Sequence, residues 1–304
     1  MTRLAYALLA RLPLNTLYAL ATGGAWLLEN LFRYRRATVD GNLAQAFPSM
    51  SVAERAQTRN RFYRNLCDST VEIIAGSRQP LEFFTQRVTM RNPGLLDELS
   101  NGGQQTVLVM LAHQGNWEWM LHCAAANYDI AMAFVYKRLH NADSDAFSLA
   151  ARRRFGAEAI EMRDTARNII RNRRRPRLIY LLGDQSPGQR ERVQVTDFLN
   201  RPTAFFSGAA TLARATGFPV AYAHCHRMAR GHFEIELLEI VRDPSTVDEH
   251  WIIQRYAELT EQFIRESPAD WLWSNRRWKH QVATAANPET SKGSLGQSQS
   301  KPKS

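Results

Sequence analysis

The chain has 304 residues, 44% of them hydrophobic, and 39 Lys and Arg against 29 Asp and Glu give a formal charge of +10. That is enough apolar material for one large α/β domain with extensions or two small domains, and the basic excess points to anionic partners: nucleic acid, anionic lipid or an acidic carrier protein. Cys67, Cys123 and Cys225 are odd in number and widely spaced, which excludes a disulfide framework and any metal-ligand spacing, so a reducing compartment is expected.

From the N-terminus, Leu12 to Leu28 is largely apolar and free of charge over about 17 residues, the short limit for crossing a bilayer. Pro13, Asn15 and Gly23-Gly24 weaken it as a span. Arg33, Arg35 and Arg36 follow directly, against Arg3 and Arg11 before it, and this bias favours a cytoplasmic body. No small-residue cleavage site precedes the basic cluster, so a cleaved signal peptide is not expected. The segment reads as a membrane anchor or an in-plane helix, with a buried core helix as the other reading.

Thr38 to Gly76 has helical spacing: Val39, Leu43, Ala46 and Phe47 recur before Pro48, and Ser51 with Glu54 forms a capping box that opens a helix running past Glu72. Its apolar face carries Phe62, Leu66, Val71 and Ile74. Phe83 to Met90 reads as short and extended, and Pro93 to Ser100 as a helix. Thr106 to Ala112 is a continuous aliphatic run after the Gly102-Gly103 turn, the pattern of a strand buried on both faces. A helix from Trp117 to Ala126 and a strand from Ile130 to Tyr136 follow. A helix from about Ser144 then carries Arg152, Arg153 and Arg154 and closes at Gly156. Glu158 to Met162 is a strand, Thr165 to Asn172 a helix and Leu178 to Leu182 a strand. Ser207 to Thr216 is a helix with Gly217 as its C-terminal stop. Pro219 to Cys225 and Phe233 to Val241 are the last strands, before a long helix from Glu249 to Glu266. Strands alternating with helices at this rhythm specify an α/β fold, a mainly parallel sheet flanked by helices. Three regions follow: 1–36 as the N-terminal membrane-associating segment, 37–282 as the main domain, and 283–304, rich in Ser, Gly, Gln, Pro and Lys, as a disordered tail.

Two strand ends carry polar residues: His113 with Glu118, and Asp184 with Gln185. Open α/β sheets place their ligands at such carboxyl ends. With His113 in the loop and Glu118 in the first helical turn, the carboxylate is able to turn back and hold the imidazole in one tautomer, as a general base requires. The alternative is that Glu118 only serves the start of its helix. No Ser or Cys stands in a nucleophile elbow beside His113. Arg138, Arg152, Arg153 and Arg154 lie in the intervening crossover and suit bidentate phosphate binding. Arg171 to Arg177 reads instead as a solvated or membrane-facing stripe.

The run His113-Gln114-Gly115-Asn116-Trp117-Glu118 resembles the H-x4-D/E block of the lysophospholipid acyltransferase superfamily. More narrowly, it is similar to the lauroyl and myristoyl acyltransferases of lipid A biosynthesis. Further matching blocks are Asn42-Leu43 with Ala46-Phe47-Pro48, Phe62 to Asn65 with Glu72, Tyr136 to Asn141, Arg152 to Gly156, Gly183 to Gly188 and Trp271 to Lys279. The resemblance spans about Leu17 to Lys279. Gln114 stands where an aromatic is common in the family, and Asn275 where a histidine is usual.

The resemblance implies a membrane-associated enzyme at the cytoplasmic face of the bacterial inner membrane, moving a fatty acyl chain from acyl carrier protein to a hydroxyl of a lipid A precursor. His113 would act as general base and Glu118 would orient it. Arg152, Arg154, Asp184 and Gln185 would bind or orient an anionic glycolipid or lipid acceptor. No metal or cofactor is implied. Another lipid O-acyltransferase of the superfamily, such as one acting on lysophospholipids, is the near alternative. A basic nucleic-acid-binding protein is more remote, because no helix-turn-helix, zinc or RNP-type pattern is present and nucleic acid is not an expected partner.

Overall fold

The structure, a computed structural model, describes residues 2–189 and 191–279. The tail expected at 283–304 lies outside the described residues. The chain opens with α1 (Thr2–Leu9), α2 (Leu14–Trp26), α3 (Arg36–Ala46) and the long α4 (Val52–Gly76). After α5 (Leu81–Thr85), β1 (Val88–Met90) and α6 (Gly94–Leu99) come β2 (Val107–Leu111), α7 (Trp117–Asn127) and β3 (Ala131–Tyr136). Then follow α8 (Ala142–Arg153), β4 (Glu158–Glu161), α9 (Thr165–Arg171) and β5 (Arg177–Leu182). β6 (Val193–Phe198), β7 (Arg201–Phe206), α10 (Gly208–Thr216), β8 (Val220–Ala229), β9 (His232–Val241) and α11 (Glu249–Glu266) complete the order.

Seven strands form one sheet in the order β1-β9-β8-β2-β5-β3-β4. β2 pairs in parallel with β5 and β8, and β3 in parallel with β5 and β4; β9 runs antiparallel to β8. The unbroken apolar run of β2 has its cause in this placement. Leu108 and Met110 enter the core on one face of the sheet, while Val107, Val109 and Leu111 enter the core on the other. A strand covered on both faces has no position where a polar side chain could meet water. Helices α2, α3, α4, α10 and α11 contribute to the first core, and α5, α6 and α7 to the second.

The apolar segment near the N-terminus is α2, continued by a π-helical stretch from Leu27 to Leu31. Leu17, Tyr18, Ala21 and Ala25 are buried, with Ala21 and Ala25 in the first core, while Leu20 and Trp26 on the other side are exposed. Among the described residues no helix is long and apolar enough to cross a membrane. α2 therefore combines a core-facing side with an exposed apolar side. The span expected as extended at Phe83 to Met90 is divided between the end of α5 and the three-residue β1.

One element went unread in the sequence, the antiparallel β6–β7 hairpin. Its turn residues Leu199 and Asn200 both have positive φ, 51° and 66°, the geometry of the two-residue hairpin turn whose twist matches its strands.

Two histidines sit in the packed interior. His122 on α7 lies against the rings of Phe84 and Phe155, at 4.6 and 5.1 Å, and His224 on β8 stacks on Phe263 at 3.8 Å. Burial disfavours their charged forms, lowering His122 to about 4 and His224 well below its ordinary 6.5. The unfolded chain takes up these protons and the folded chain does not, so stability should fall as pH drops from about 6.5 to about 4. Urea midpoints measured across that window check this; a flat profile would mean the rings protonate in place.

Candidate active site

Register builds the site. Leu111 at the end of β2 stands opposite Leu182 at the end of β5, so both strands leave the sheet at one level. His113 and Asp184 follow at the same offset and meet. The His113 backbone N–H donates to Asp184 Oδ2 at 3.0 Å, and Nδ1 lies 2.7 Å from Oδ1. The Trp271 indole N–H donates to Oδ2 at 2.8 Å. Asp184 is 2% exposed. Burial opposes its ionisation, but the interaction with the His113 ring and the hydrogen bonds from His113 and Trp271 prevail and hold the carboxyl below its ordinary value. An ionised carboxylate only accepts, so the network assigns the imidazole proton to Nδ1 and leaves a lone pair on Nε2. The Gln185 side-chain amide lies 3.2 Å from Nε2 and is placed to donate to it.

The turn that carries His113 is equally determined. Leu272 N–H donates to the His113 carbonyl at 3.1 Å, and the Trp117 ring packs on the imidazole at 5.0 Å. Gly115 has φ +59°, and a Cβ built there would fall 2.3 Å from the Cys225 carbonyl oxygen. Asn116 then caps α7 through its side chain, which accepts from the Trp119 N–H at 3.1 Å.

The orienting role expected for Glu118 needs correction. Glu118 lies in the first turn of α7 and points to α8, where both its oxygens accept from the Arg152 guanidinium, through Nε at 2.7 Å and through Nη2. It also accepts from the Trp117 indole at 3.1 Å. Burial works against its charge, and Arg152 outweighs that and lowers its pKa. The carboxylate on the imidazole comes instead from the adjacent strand. Two of the expected anion-binding arginines are also engaged within the fold. Arg152 is committed to Glu118 and sits 5.5 Å from the Phe134 ring centre, while Arg154 donates to the Gly76 carbonyl at 2.9 Å and lies over Phe155. Asp184 is a partner of His113 rather than an exposed ligand, and Gln185 borders an open cavity.

That cavity, of about 680 Å³, is lined mainly by apolar groups, among them Leu17, Leu20, Gly24, Leu28 and Leu272. Gln185 and Leu272 put its mouth beside His113. Trp271, which fixes Asp184, was not singled out in the sequence as a site residue. The three cysteines are buried, which pushes Cys67 up to about 11 and Cys123 and Cys225 to about 12, far from thiolate reactivity at neutral pH. Among the described residues no group of three His, Cys, Asp or Glu comes together to hold a metal ion.

Fold and site define an open α/β chain with a histidine–aspartate pair at its strand ends, beside an apolar cavity. The family model for the bacterial lipid A biosynthesis acyltransferases matches residues 3–280, and the chain belongs to this family. It is thus a lipid acyltransferase by family. No curated protein matches the chain.

The backbone at Gly115 gives a direct test. Gly115→Ala puts a methyl group onto a carbonyl oxygen in a left-handed conformation, so it should cost at least about 1 kcal/mol of unfolding free energy. An unchanged urea midpoint would show that the turn relaxes freely.

Proposed function

We propose that the chain transfers a fatty acyl group from acyl carrier protein to a hydroxyl of a lipid A precursor, at the cytoplasmic face of the bacterial inner membrane. The observation that carries this reading is the placement of His113 Nε2, which among the described residues faces the Gln185 amide and no hydroxyl or thiol, next to an apolar cavity. The nucleophile is then the acceptor hydroxyl itself. His113 takes its proton, the oxygen bonds to the thioester carbonyl carbon, the carbon–sulfur bond breaks, and the imidazolium returns the proton to the leaving thiolate. Asp184 holds the tautomer and balances the imidazolium charge, the task first expected of Glu118. The Glu118–Arg152 pair supports the site through Trp117, which touches both Glu118 and the imidazole. The cavity accommodates the acyl chain, and the net charge of +10 suits an acidic carrier and an anionic acceptor.

The N-terminal segment supports membrane association without a span. Trp26, Leu31 and Phe32 are 61%, 63% and 67% exposed, Leu20 and Leu27 are exposed beside them, and Arg33, Arg35 and Arg36 follow. An exposed apolar patch rimmed by arginine fits an anionic bilayer surface in the plane of the interface. This patch adjoins the cavity walled by α2, so a docked membrane would deliver lipid at the site. Arg173 to Arg175 precede β5 and therefore lie at the end of the sheet away from His113.

His113→Ala and Asp184→Asn should each lower turnover by roughly 10²–10⁴, the range for losing a general base or its tautomer. Mass spectrometry of lipid A from cells with and without each variant reads the outcome. Normal acylation by Asp184→Asn would remove Asp184 from the reaction, and a change confined to phospholipids would assign the acceptor to that class.

For the membrane, Leu31→Ser with Phe32→Ser should weaken binding to phosphatidylglycerol vesicles by roughly tenfold or more, as the loss of buried apolar side chains requires. Arg174→Glu should leave vesicle binding unchanged. Sedimentation with vesicles decides, and equal losses in the two variants would put the docking surface elsewhere.

A further inference from the structure

Glu72 on α4 is 0% exposed, yet its carboxylate collects four donors. They are the Tyr18 hydroxyl at 3.0 Å, Asn116 Nδ2 at 3.0 Å, the Gly231 N–H at 3.1 Å and Arg227 Nη1 at 3.3 Å. Its backbone carbonyl accepts from the Trp119 indole at 3.2 Å. Packing alone would be served as well by an apolar residue, since a buried ion pair offers little net stability. What the fan of donors does is fix several separate elements to one point.

Two of those elements matter for the reaction. Asn116 caps α7 with its Oδ1 while Glu72 holds its Nδ2. The neighbouring Gly115 carbonyl accepts from Ser69 Oγ at 3.2 Å, and Ser69 accepts in turn from Arg227 Nη2 at 2.8 Å. The turn that carries His113 is therefore held from α4. On the opposite side, Tyr18 belongs to α2, whose Leu17, Leu20, Ala21 and Gly24 wall the apolar cavity. Its carbonyl and its helix are held through Arg230, which also grips Asp68 next to Cys67 of the cavity lining.

We propose that Glu72 is a positioning residue that couples the cavity wall to the His113 turn, so that a long acyl chain lying along α2 sets the general base for proton abstraction. This rests on the acyl-transfer reading and adds a link between cavity filling and turnover. The path runs from the α2 wall through the Tyr18 hydroxyl to Glu72, and from Glu72 through Asn116 to the turn. Both contacts are hydrogen bonds of 3.0 Å in a water-poor interior, where small shifts are transmitted and not absorbed.

The test uses the full chain with lauroyl and butyryl thioesters of acyl carrier protein as donors and a lipid A precursor as acceptor. In the wild type, lauroyl should give a kcat about tenfold above butyryl, since a short chain leaves the base less well placed. Tyr18→Phe keeps the ring but removes the hydroxyl that reports on α2, so the lauroyl-to-butyryl kcat ratio should fall toward one. Glu72→Gln turns an amide N–H toward Asn116 Nδ2 and should lower kcat for both donors while KM for lauroyl donor stays within about twofold. Should Glu72→Gln fail to fold, Tyr18→Phe alone decides. A wild-type ratio of one, or a Tyr18→Phe ratio equal to that of a wild type that prefers lauroyl, overturns the coupling. Absence of any transfer by the wild type overturns the acyl-transfer reading instead.

Discussion

Because β2 and β5 pair in parallel with Leu111 opposite Leu182, the two chains emerge from the sheet side by side, and the residues just beyond them are forced together. Everything at the site hangs on that pairing. His113 and Asp184 are 71 residues apart in sequence and share two hydrogen bonds. A slip of one residue in the register would turn every side chain of β2 to the other face and mismatch two filled cores. The site is thus as rigid as the sheet beneath it. Tyr256 adds to this by donating from α11 to the Leu111 carbonyl at 2.9 Å, at the level where the strands end.

Three carboxylates are buried around this frame, and each of them is paired. Asp184 meets His113 and Trp271, Glu118 meets Arg152, and Glu72 meets Arg227, Tyr18 and Asn116. A buried carboxylate with no partner would be far more costly than these pairs, and the removal of one partner is correspondingly damaging. Their positions are informative, because all three touch the segment from His113 to Trp119 directly. The two ends of α7's first turn are fixed by different elements: α4 holds Asn116 and α8 holds Glu118. Helix α7 is therefore clamped at the point where it meets the turn that carries His113.

The N-terminal helices gain a similar logic. α2 contributes to the core on one side, walls the cavity with adjacent residues, and leaves Leu20 and Trp26 exposed on the other. A lipid acyltransferase has to seat a hydrocarbon chain in an apolar site, and α2 faces the core, the cavity and the outside at once.

Much of this was legible in the sequence. The continuous aliphatic run of β2, the capping box at Ser51, the alternation of strands and helices, and polar residues at two strand ends are local patterns, and local patterns follow from helix and strand periodicity. The family likeness likewise rests on short blocks that can be read in order. The partner of His113 was not legible. Sequence proximity favoured Glu118, but proximity in the chain says nothing of which way a first-turn side chain points, and α8 supplied an arginine to take it. The β6–β7 hairpin escaped because its Val193 and Val195 face solvent, so their alternation marks no core face, and its Leu199-Asn200 turn lacks the Asn-Gly or Asp-Gly signal of a two-residue turn. Trp271 reaches Asp184 from the far end of the chain, through packing that no spacing encodes. The sequence by itself determined most of the strands and helices and the chemistry present at their ends. Only the tertiary structure decided which of those groups meet, because strand register and helix packing, not separation along the chain, set the distances at which a proton can be shared.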